Sequence, residues 1–91
     1  MPMCLLTYEP QNPANRKVVR GEIKAYKDWR EINESVYLIV TDDPPKRIYG
    51  RLKQHIDEDD KLYVFNITQP AAGSGPDNLN DWVKANLPSG R

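Results

Sequence analysis

Apolar residues in this chain fall into short runs with the length and composition of β-strands. Residues 35–41 form the most apolar and β-branched run, and both of its alternating sets of side chains are apolar or semi-apolar. This pattern predicts a central strand that is covered on at least one side. Residues 3–8 and 62–68 are two further predicted strands. The run at 29–33 alternates with charged residues and is typical of an edge strand, paired with residues 35–41 as a hairpin.

Helical spacing appears in three places between and after these runs. Residues 16–28 place Val19, Ile23 and Tyr26 on one face, and Asn15 is the predicted N-cap. A second helix follows Asp42–Asp43, one of which is expected to cap it, with Pro44 in its first turn. After a Gly/Pro-rich connector, a short terminal helix capped by Asp77 or Asn78 would turn these residues inward: Leu79, Trp82, Val83 and Leu87.

The order strand, helix, strand, strand, helix, strand predicts an α+β, ferredoxin-like βαββαβ fold. It has a four-stranded antiparallel sheet with two helices on one face, plus a C-terminal helical appendix. The first and third strands are expected at its centre. We divide the chain into a ferredoxin-like domain, 1–69, and a linker with a C-terminal helix that packs on it, 70–91.

The charges are segregated although the formal net charge is zero. Residues 15–28 hold five basic residues against two acidic ones, a net of +3, and residues 44–56 hold four basic residues and no acid, a net of +4. Both segments are predicted helices in one layer, so their local field favours an anionic partner on that side.

The cysteine content and the N-terminus bear on the compartment. The single cysteine, Cys4, excludes an internal disulfide and a cysteine-cluster metal site, and it is expected to be inert core. The first residues lack a basic segment and a long apolar run, and no stretch has the length of a membrane span. These features predict a cytoplasmic protein without a membrane partner.

Three motifs, in order, resemble a known family. The first strand ends in Leu5-Leu6-Thr7-Tyr8-Glu9, basic Arg16 and Lys17 begin the next helix, and the hairpin turn has the sequence Asn33-Glu34-Ser35-Val36-Tyr37. The segment Asp59-Asp60-Lys61-Leu62-Tyr63-Val64 before the last strand also matches. Over residues 3–67 the chain resembles the small ferredoxin-like nucleases typified by CRISPR-associated protein two, and most of all their CRISPR-independent bacterial relatives called SinR.

The resemblance implies a homodimer in which the acidic residue that ends the first strand binds Mg²⁺ together with the same residue of the second copy. In that family the residue is aspartate, and here it is Glu9. Glu9 is thereby the expected catalytic residue and metal ligand, and the implied reaction is Mg²⁺-dependent hydrolysis of RNA or DNA. The chain also differs from the family at its C-terminus, where a helix replaces the extra strand that pairs across the dimer.

Arg16, Lys17, Arg20, Ser35 and Tyr37 are the expected nucleic-acid contacts, the first three through phosphates and Tyr37 through base stacking. Each has a structural alternative: a solvated helix face for the basic residues, a turn hydrogen bond for Ser35 and a core or interface position for Tyr37. Glu9 is otherwise an ordinary exposed carboxylate.

Two other functions stay open: a non-catalytic dimeric scaffold that binds nucleic acid or protein, and a ribonuclease toxin like virulence-associated protein D. The sheet face opposite the two helices is the predicted dimer interface, with the first strand, part of 62–67 and Tyr37 or its neighbours on it.

Overall fold

The computed structural model of the protein describes residues 1–90. Its elements in chain order are β1 (Met3–Glu9), α1 (Pro13–Ile23), β2 (Asp28–Asn33), β3 (Val36–Val40), α2 (Pro45–Leu52), β4 (Lys61–Ile67) and α3 (Asp77–Asn86). A single 3-10 turn, Lys53–His55, continues α2. The strands form one sheet in the order β2-β3-β1-β4, and all neighbouring pairs are antiparallel. The α+β ferredoxin-like fold is confirmed, with the first and third strands at the centre.

The start of α1 differs from the prediction. Asn12, not Asn15, is the N-cap, and its side-chain oxygen accepts a hydrogen bond from the backbone N–H of Ala14 at 3.0 Å. Pro13 occupies the first helical position, where its missing N–H leaves no hydrogen bond unmade. The helix ends at Ile23, so Tyr26 lies in the following turn while still packing against the core.

The predicted side-chain caps of the other two helices, Asp42 or Asp43 for α2 and Asp77 or Asn78 for α3, are wrong. Pro44 precedes α2 and Pro76 precedes α3, and neither helix has a side-chain cap. The extended backbone that proline favours brings the chain into the first turn at both places. The Asp43 carboxylate instead lies 3.6 Å from the Arg47 guanidinium, and Thr41 Oγ1 accepts the Asp43 N–H at 3.0 Å.

The three α-helices of residues 1–90 contain 11, 8 and 10 residues. None of them combines the length and the apolar composition that a membrane span requires.

One face of the sheet packs under α1 and α2. Alternate residues of the strands point to this side, and Cys4 is buried there as predicted. The helices contribute Val19 and Ile23 from α1 and Ile48 and Leu52 from α2. The buried cluster on this side consists of Cys4, Leu6, Tyr8, Val19, Ile23, Tyr37, Ile39, Ile48, Leu52 and Leu62.

The opposite face is partly covered by α3. Trp82 and Leu87 pack with Met3 and Leu38 in a second buried cluster. Trp82 is only 8% exposed, and its indole N–H donates to Asp28 Oδ1 at 3.0 Å. The Arg30 guanidinium lies 4.8 Å from the centre of the Trp82 ring, a cation–π contact. These contacts attach α3 to strand β2.

The rest of this second face stays open. The register places Leu5 opposite Phe65, Thr7 opposite Tyr63 and Glu9 opposite Lys61. Tyr63 and Phe65 are 61% and 51% exposed, because α3 reaches the sheet only beside the other end of β1. We call this uncovered area the open face, and its members are Thr7, Glu9, Val36, Lys61, Tyr63 and Phe65.

Asp60 joins the end of β1 to the start of β4. Its carboxylate accepts hydrogen bonds from the Tyr8 hydroxyl at 2.7 Å, the Gln11 N–H at 2.7 Å and the Asp57 N–H at 2.9 Å. Partial burial alone would raise the pKa of Asp60, but these hydrogen bonds to its charged form outweigh it and hold the pKa below its usual value. Asp60 therefore stabilises the fold in its ionised form.

We expect Asp60→Asn to lower the free energy of unfolding at neutral pH, because the amide loses the charge that these donors stabilise. The pKa of Asp60 is lower in the folded than in the unfolded state. The ionised carboxylate of Asp60 therefore contributes fully to the free energy of unfolding above about pH 4. This contribution disappears as the pH falls through the folded-state pKa of Asp60. Urea unfolding at neutral and acidic pH measures both effects. The neighbouring Asp59→Asn is the control, and an equal loss in both variants would contradict the role assigned to Asp60.

Trp82→Ala should lower the free energy of unfolding by about 3–5 kcal/mol, the usual effect of truncating a buried large aromatic residue. The substitution removes the ring beneath α3 and leaves Asp28 without its indole donor. Thermal and urea unfolding measure the change. Lys84→Ala, on the exposed side of α3, should change it by less than about 0.5 kcal/mol. An unchanged melting temperature in Trp82→Ala would mean that α3 does not stabilise the sheet.

Candidate nucleic-acid interface

The end of β1, the start of α1 and the β2–β3 turn meet at one end of the sheet. The Tyr8 N–H donates to the Ser35 carbonyl at 2.8 Å, which closes this end of the β1–β3 pair. The Arg16 guanidinium donates to the Glu34 carbonyl and lies 3.4 Å from Ser35 Oγ. The structure thus brings Arg16 and Ser35 together, with Glu9 next along β1.

Arg16 is a structural residue that still carries an uncompensated charge. Its partners in residues 1–90 are a carbonyl and a hydroxyl, both neutral, and it lies in no ion pair there. It holds the hairpin turn against α1, which also fixes the direction of its guanidinium. A guanidinium has five N–H donors, so nitrogens remain for a phosphate oxygen.

Lys17 and Arg20 differ from each other in their surroundings. Lys17 is exposed and lies in no ion pair within residues 1–90. Arg20 Nε lies 3.1 Å from Glu31 Oε1, so the charge of Arg20 is compensated across α1 and β2. Of the three predicted basic contacts, Arg16 and Lys17 therefore supply the positive field.

Tyr37 lies on the helix side of the sheet. The sequence prediction placed Tyr37 or its neighbours on the opposite face, and of these the neighbour Val36 lies there. It is 2% exposed and packs in the cluster with Val19 and Ile23. Burial raises the pKa of its hydroxyl, which donates to the Glu34 carbonyl at 3.4 Å. In this position the ring supports the turn that carries Ser35 and offers no face to a base.

Glu9 is the last residue of β1 and is exposed. Because Tyr8 points toward the helices, alternation directs Glu9 to the open face, where Lys61 is its cross-strand neighbour. No group of three or more metal-ligating side chains occurs within residues 1–90. A carboxylate is the hard oxygen ligand that Mg²⁺ prefers, and Mg²⁺ keeps several waters, so Glu9 fits such an ion as one ligand of a shared site.

In the helix layer, most arginines lie near carboxylates, and the lysines of residues 1–90 do not form ion pairs. Arg51 lies 3.3 Å from Glu22 and 5.0 Å from the centre of the Tyr26 ring, and His55 lies 3.4 Å from the same Glu22. Arg47 is next to Asp43. In the part of the chain that the structure describes, no lysine takes part in an ion pair. The uncompensated charge of the second basic segment therefore comes from Lys46 and Lys53.

A groove that the sequence prediction did not identify follows the outer edge of β4. It has a volume of about 500 Å³ and lies between α2 and β4, with Lys46, Tyr49, Lys61 and Tyr63 in its lining. The alternation of residues 62–67 could have shown that Tyr63 and Phe65 share one face of β4. The strand register places this face on the same side of the sheet as Glu9. The groove itself depends on how α2 packs, which the sequence pattern does not contain.

Comparison of the chain with protein-family models and with curated proteins finds no match. The likeness to the nuclease family therefore rests on the motifs of the sequence. The surroundings of Glu9, Arg16 and Lys17 are the physical basis for a functional proposal.

Proposed function

We propose that the protein is a homodimer of nuclease type that binds the phosphates of RNA or DNA and hydrolyses the phosphodiester bond with Mg²⁺. One observation carries this proposal. Two uncompensated cations, Arg16 and Lys17, lie on α1 at the same end of the sheet as the exposed carboxylate of Glu9.

The phosphate contact rests on Arg16 and Lys17. Both belong to the first turns of α1, where the helix dipole also favours an anion. Arg16 is held by the β2–β3 turn, so little side-chain entropy is lost when it binds a phosphate oxygen. Contacts of this type position a nucleic acid without selecting its sequence.

The hydrolytic step rests on Glu9 from two copies. One carboxylate from each copy would hold a shared Mg²⁺, so the ion would not depend on a group of three ligands from one copy, which residues 1–90 do not contain. Bound there, the ion would supply an acidified water and neutralise charge on the phosphoryl oxygens. Arg16 and Lys17 would hold the substrate while water attacks phosphorus and the ester oxygen leaves.

A non-catalytic nucleic-acid or protein-binding dimer is the second candidate, favoured by the glutamate at position 9. Its side chain is one methylene longer than the aspartate of the family that the chain resembles. A displacement of about 1 Å in a reacting group can lower a rate on the order of 100-fold. In this second candidate function the same residues bind the partner, and no hydrolysis takes place.

Binding should be salt-dependent through Arg16 and Lys17. Replacing both by alanine should flatten the slope of log affinity against log salt by about 1.4 to 1.8, the value for two phosphates on single-stranded or duplex nucleic acid. Fluorescence anisotropy with labelled RNA and DNA, in EDTA, measures the slope. Arg20→Ala is the matched control and should change it little, because Glu31 already compensates that charge. An absence of binding by the wild type at low salt would exclude the proposal.

Glu9→Gln should abolish Mg²⁺-dependent cleavage and leave binding unchanged or slightly stronger, since it removes a negative charge near phosphate. Cleavage of labelled RNA and duplex DNA in Mg²⁺, Mn²⁺ and EDTA is the measurement. Glu34→Gln, an exposed glutamate of the β2–β3 turn, is the matched control and should cleave as the wild type does. Cleavage that persists in Glu9→Gln would remove this residue from the mechanism. Binding without cleavage by the wild type would favour the non-catalytic dimer.

The shared site requires a dimer, with the two-fold axis beside Glu9 and the neighbouring Thr7 and Val36 in contact. Light scattering at tens of micromolar should therefore give the mass of two chains. Thr7→Glu, which places like charges across the axis, should shift the population toward monomer without lowering the melting temperature of the monomer. A wild-type monomer under these conditions would contradict the shared site.

A further inference from the structure

We propose that Tyr63 and Phe65 form a stacking platform for the bases of a single-stranded nucleic acid, whose phosphates follow the lysine-lined groove at the edge of β4. The inference rests on the function proposed above and names its substrate class: unpaired RNA or DNA strands.

The two rings are displayed together and uncovered. They lie two residues apart on the same face of β4, with ring centres 6.2 Å apart and planes inclined by only 18°. Both are more than half exposed. Large aromatic residues are rarely left in this state on a sheet, because covering them is favourable. A row of parallel rings on a rigid strand offers a surface on which successive bases can stack, whatever their identity.

The charge beside the platform suits a phosphate backbone. Lys46 and Lys61 line the groove on either side of the β4 edge, and neither lies in an ion pair within residues 1–90. Tyr49, 43% exposed, also lines this groove. The acidic residue of this groove, Asp60, has its carboxylate engaged by three hydrogen bonds. The outer backbone groups of β4 have no partner strand in the sheet and can donate further hydrogen bonds.

The platform lies close to Glu9. Tyr63 is opposite Thr7, and Glu9 lies two residues further along β1. Two residues of a strand span roughly 7 Å. A base stacked on Tyr63 would thus place its own phosphodiester within reach of the carboxylate.

A single strand fits this arrangement and a duplex does not. The bases of a duplex are stacked on one another and expose only their edges, so a flat pair of rings gains nothing from them. An unpaired strand can turn its bases onto the rings while its phosphates stay over the lysines.

A second copy of the chain is the competing occupant of these rings. In the dimer proposed above, the two-fold axis lies beside Glu9 on the central strand β1, and β4 is the outer strand. Tyr63 and Phe65 then lie at the rim of the interface and stay accessible.

The test compares the affinities of the wild type and the double variant Tyr63→Thr/Phe65→Thr, by anisotropy in EDTA, for three labelled probes. These are a short oligothymidylate, an abasic phosphodiester strand of the same length and a duplex. Threonine keeps the β-propensity and removes the rings. We expect the double variant to lose roughly five- to 150-fold in oligothymidylate affinity for each ring that stacks. The abasic strand and the duplex should bind both proteins equally.

Two further variants complete the design. Tyr63→Trp/Phe65→Tyr keeps two rings and should retain wild-type affinity for oligothymidylate. Ile32→Thr removes an apolar side chain that is 46% exposed on the other edge strand, β2, and should leave the affinity for all three probes unchanged.

Equal loss of affinity for the abasic strand would overturn the platform, because stacking would not be the cause. Dissociation of the double variant to a monomer would also overturn the platform, because the two rings would then be part of the dimer interface. Unchanged oligothymidylate binding in the double variant would overturn it as well and leave the phosphate-binding function standing. A wild type that binds none of the three probes would instead exclude the proposed function and the platform with it.

Discussion

Burial of β1 on both faces is the constraint on which the rest of the structure depends. Leu6 and Tyr8 pack under the two helices, and Met3 packs under α3. Successive side chains of a strand point to opposite faces, so this double burial fixes the orientation of every residue of β1. A slip of one residue would place Glu9 in the helix-side core. The exposure of Glu9 at the end of the strand therefore follows from the packing of Leu6 and Tyr8.

The arginines and lysines differ in whether they form ion pairs, and this difference decides where the surface carries free positive charge. Arg20, Arg30, Arg47 and Arg51 each lie near a carboxylate, and Arg16 holds a turn. The planar guanidinium forms several directed hydrogen bonds, which suits contacts between elements, while a lysine ammonium is strongly hydrated and remains in water. No lysine of residues 1–90 lies in an ion pair, so the lysines supply most of the free positive charge of the described surface.

Much of the fold could be predicted from local patterns. The apolar pattern of residues 35–41 and the helical spacing of Val19 and Ile23 each require only neighbours along the chain. Val19 and Ile23 are buried, as are Tyr37, Leu38 and Ile39 of β3. The side on which Tyr37 lies could not be predicted, because both faces of its strand are apolar and local spacing does not say which one meets the helices. The side-chain caps predicted for α2 and α3 were wrong for a related reason, because a residue type that can cap a helix does not show at which residue the helix begins.

The candidate site was predictable only in part. The exposure of Glu9 and Lys17 follows from their positions in β1 and α1. The role of Arg16 in holding the β2–β3 turn depends on a contact between residues 18 positions apart, and the compensation of Arg20 by Glu31 depends on one between residues 11 positions apart. Such pairings form only when α1 has packed on the sheet. The sequence therefore gives the number of charged residues, but it does not show which of them lack an ion-pair partner in the folded protein.

The attachment of α3 also bears on how the protein folds during synthesis. The four strands precede α3 along the chain, and an exposed connector separates it from β4. While the ribosome still holds that last helix, Leu38 and its neighbours on the second face have no cover. A nascent chain at this stage exposes an apolar sheet surface, and transiently exposed surface of this kind favours aggregation. When Trp82 packs on the sheet, it covers this apolar surface and ends the stage at which the new chain aggregates most readily.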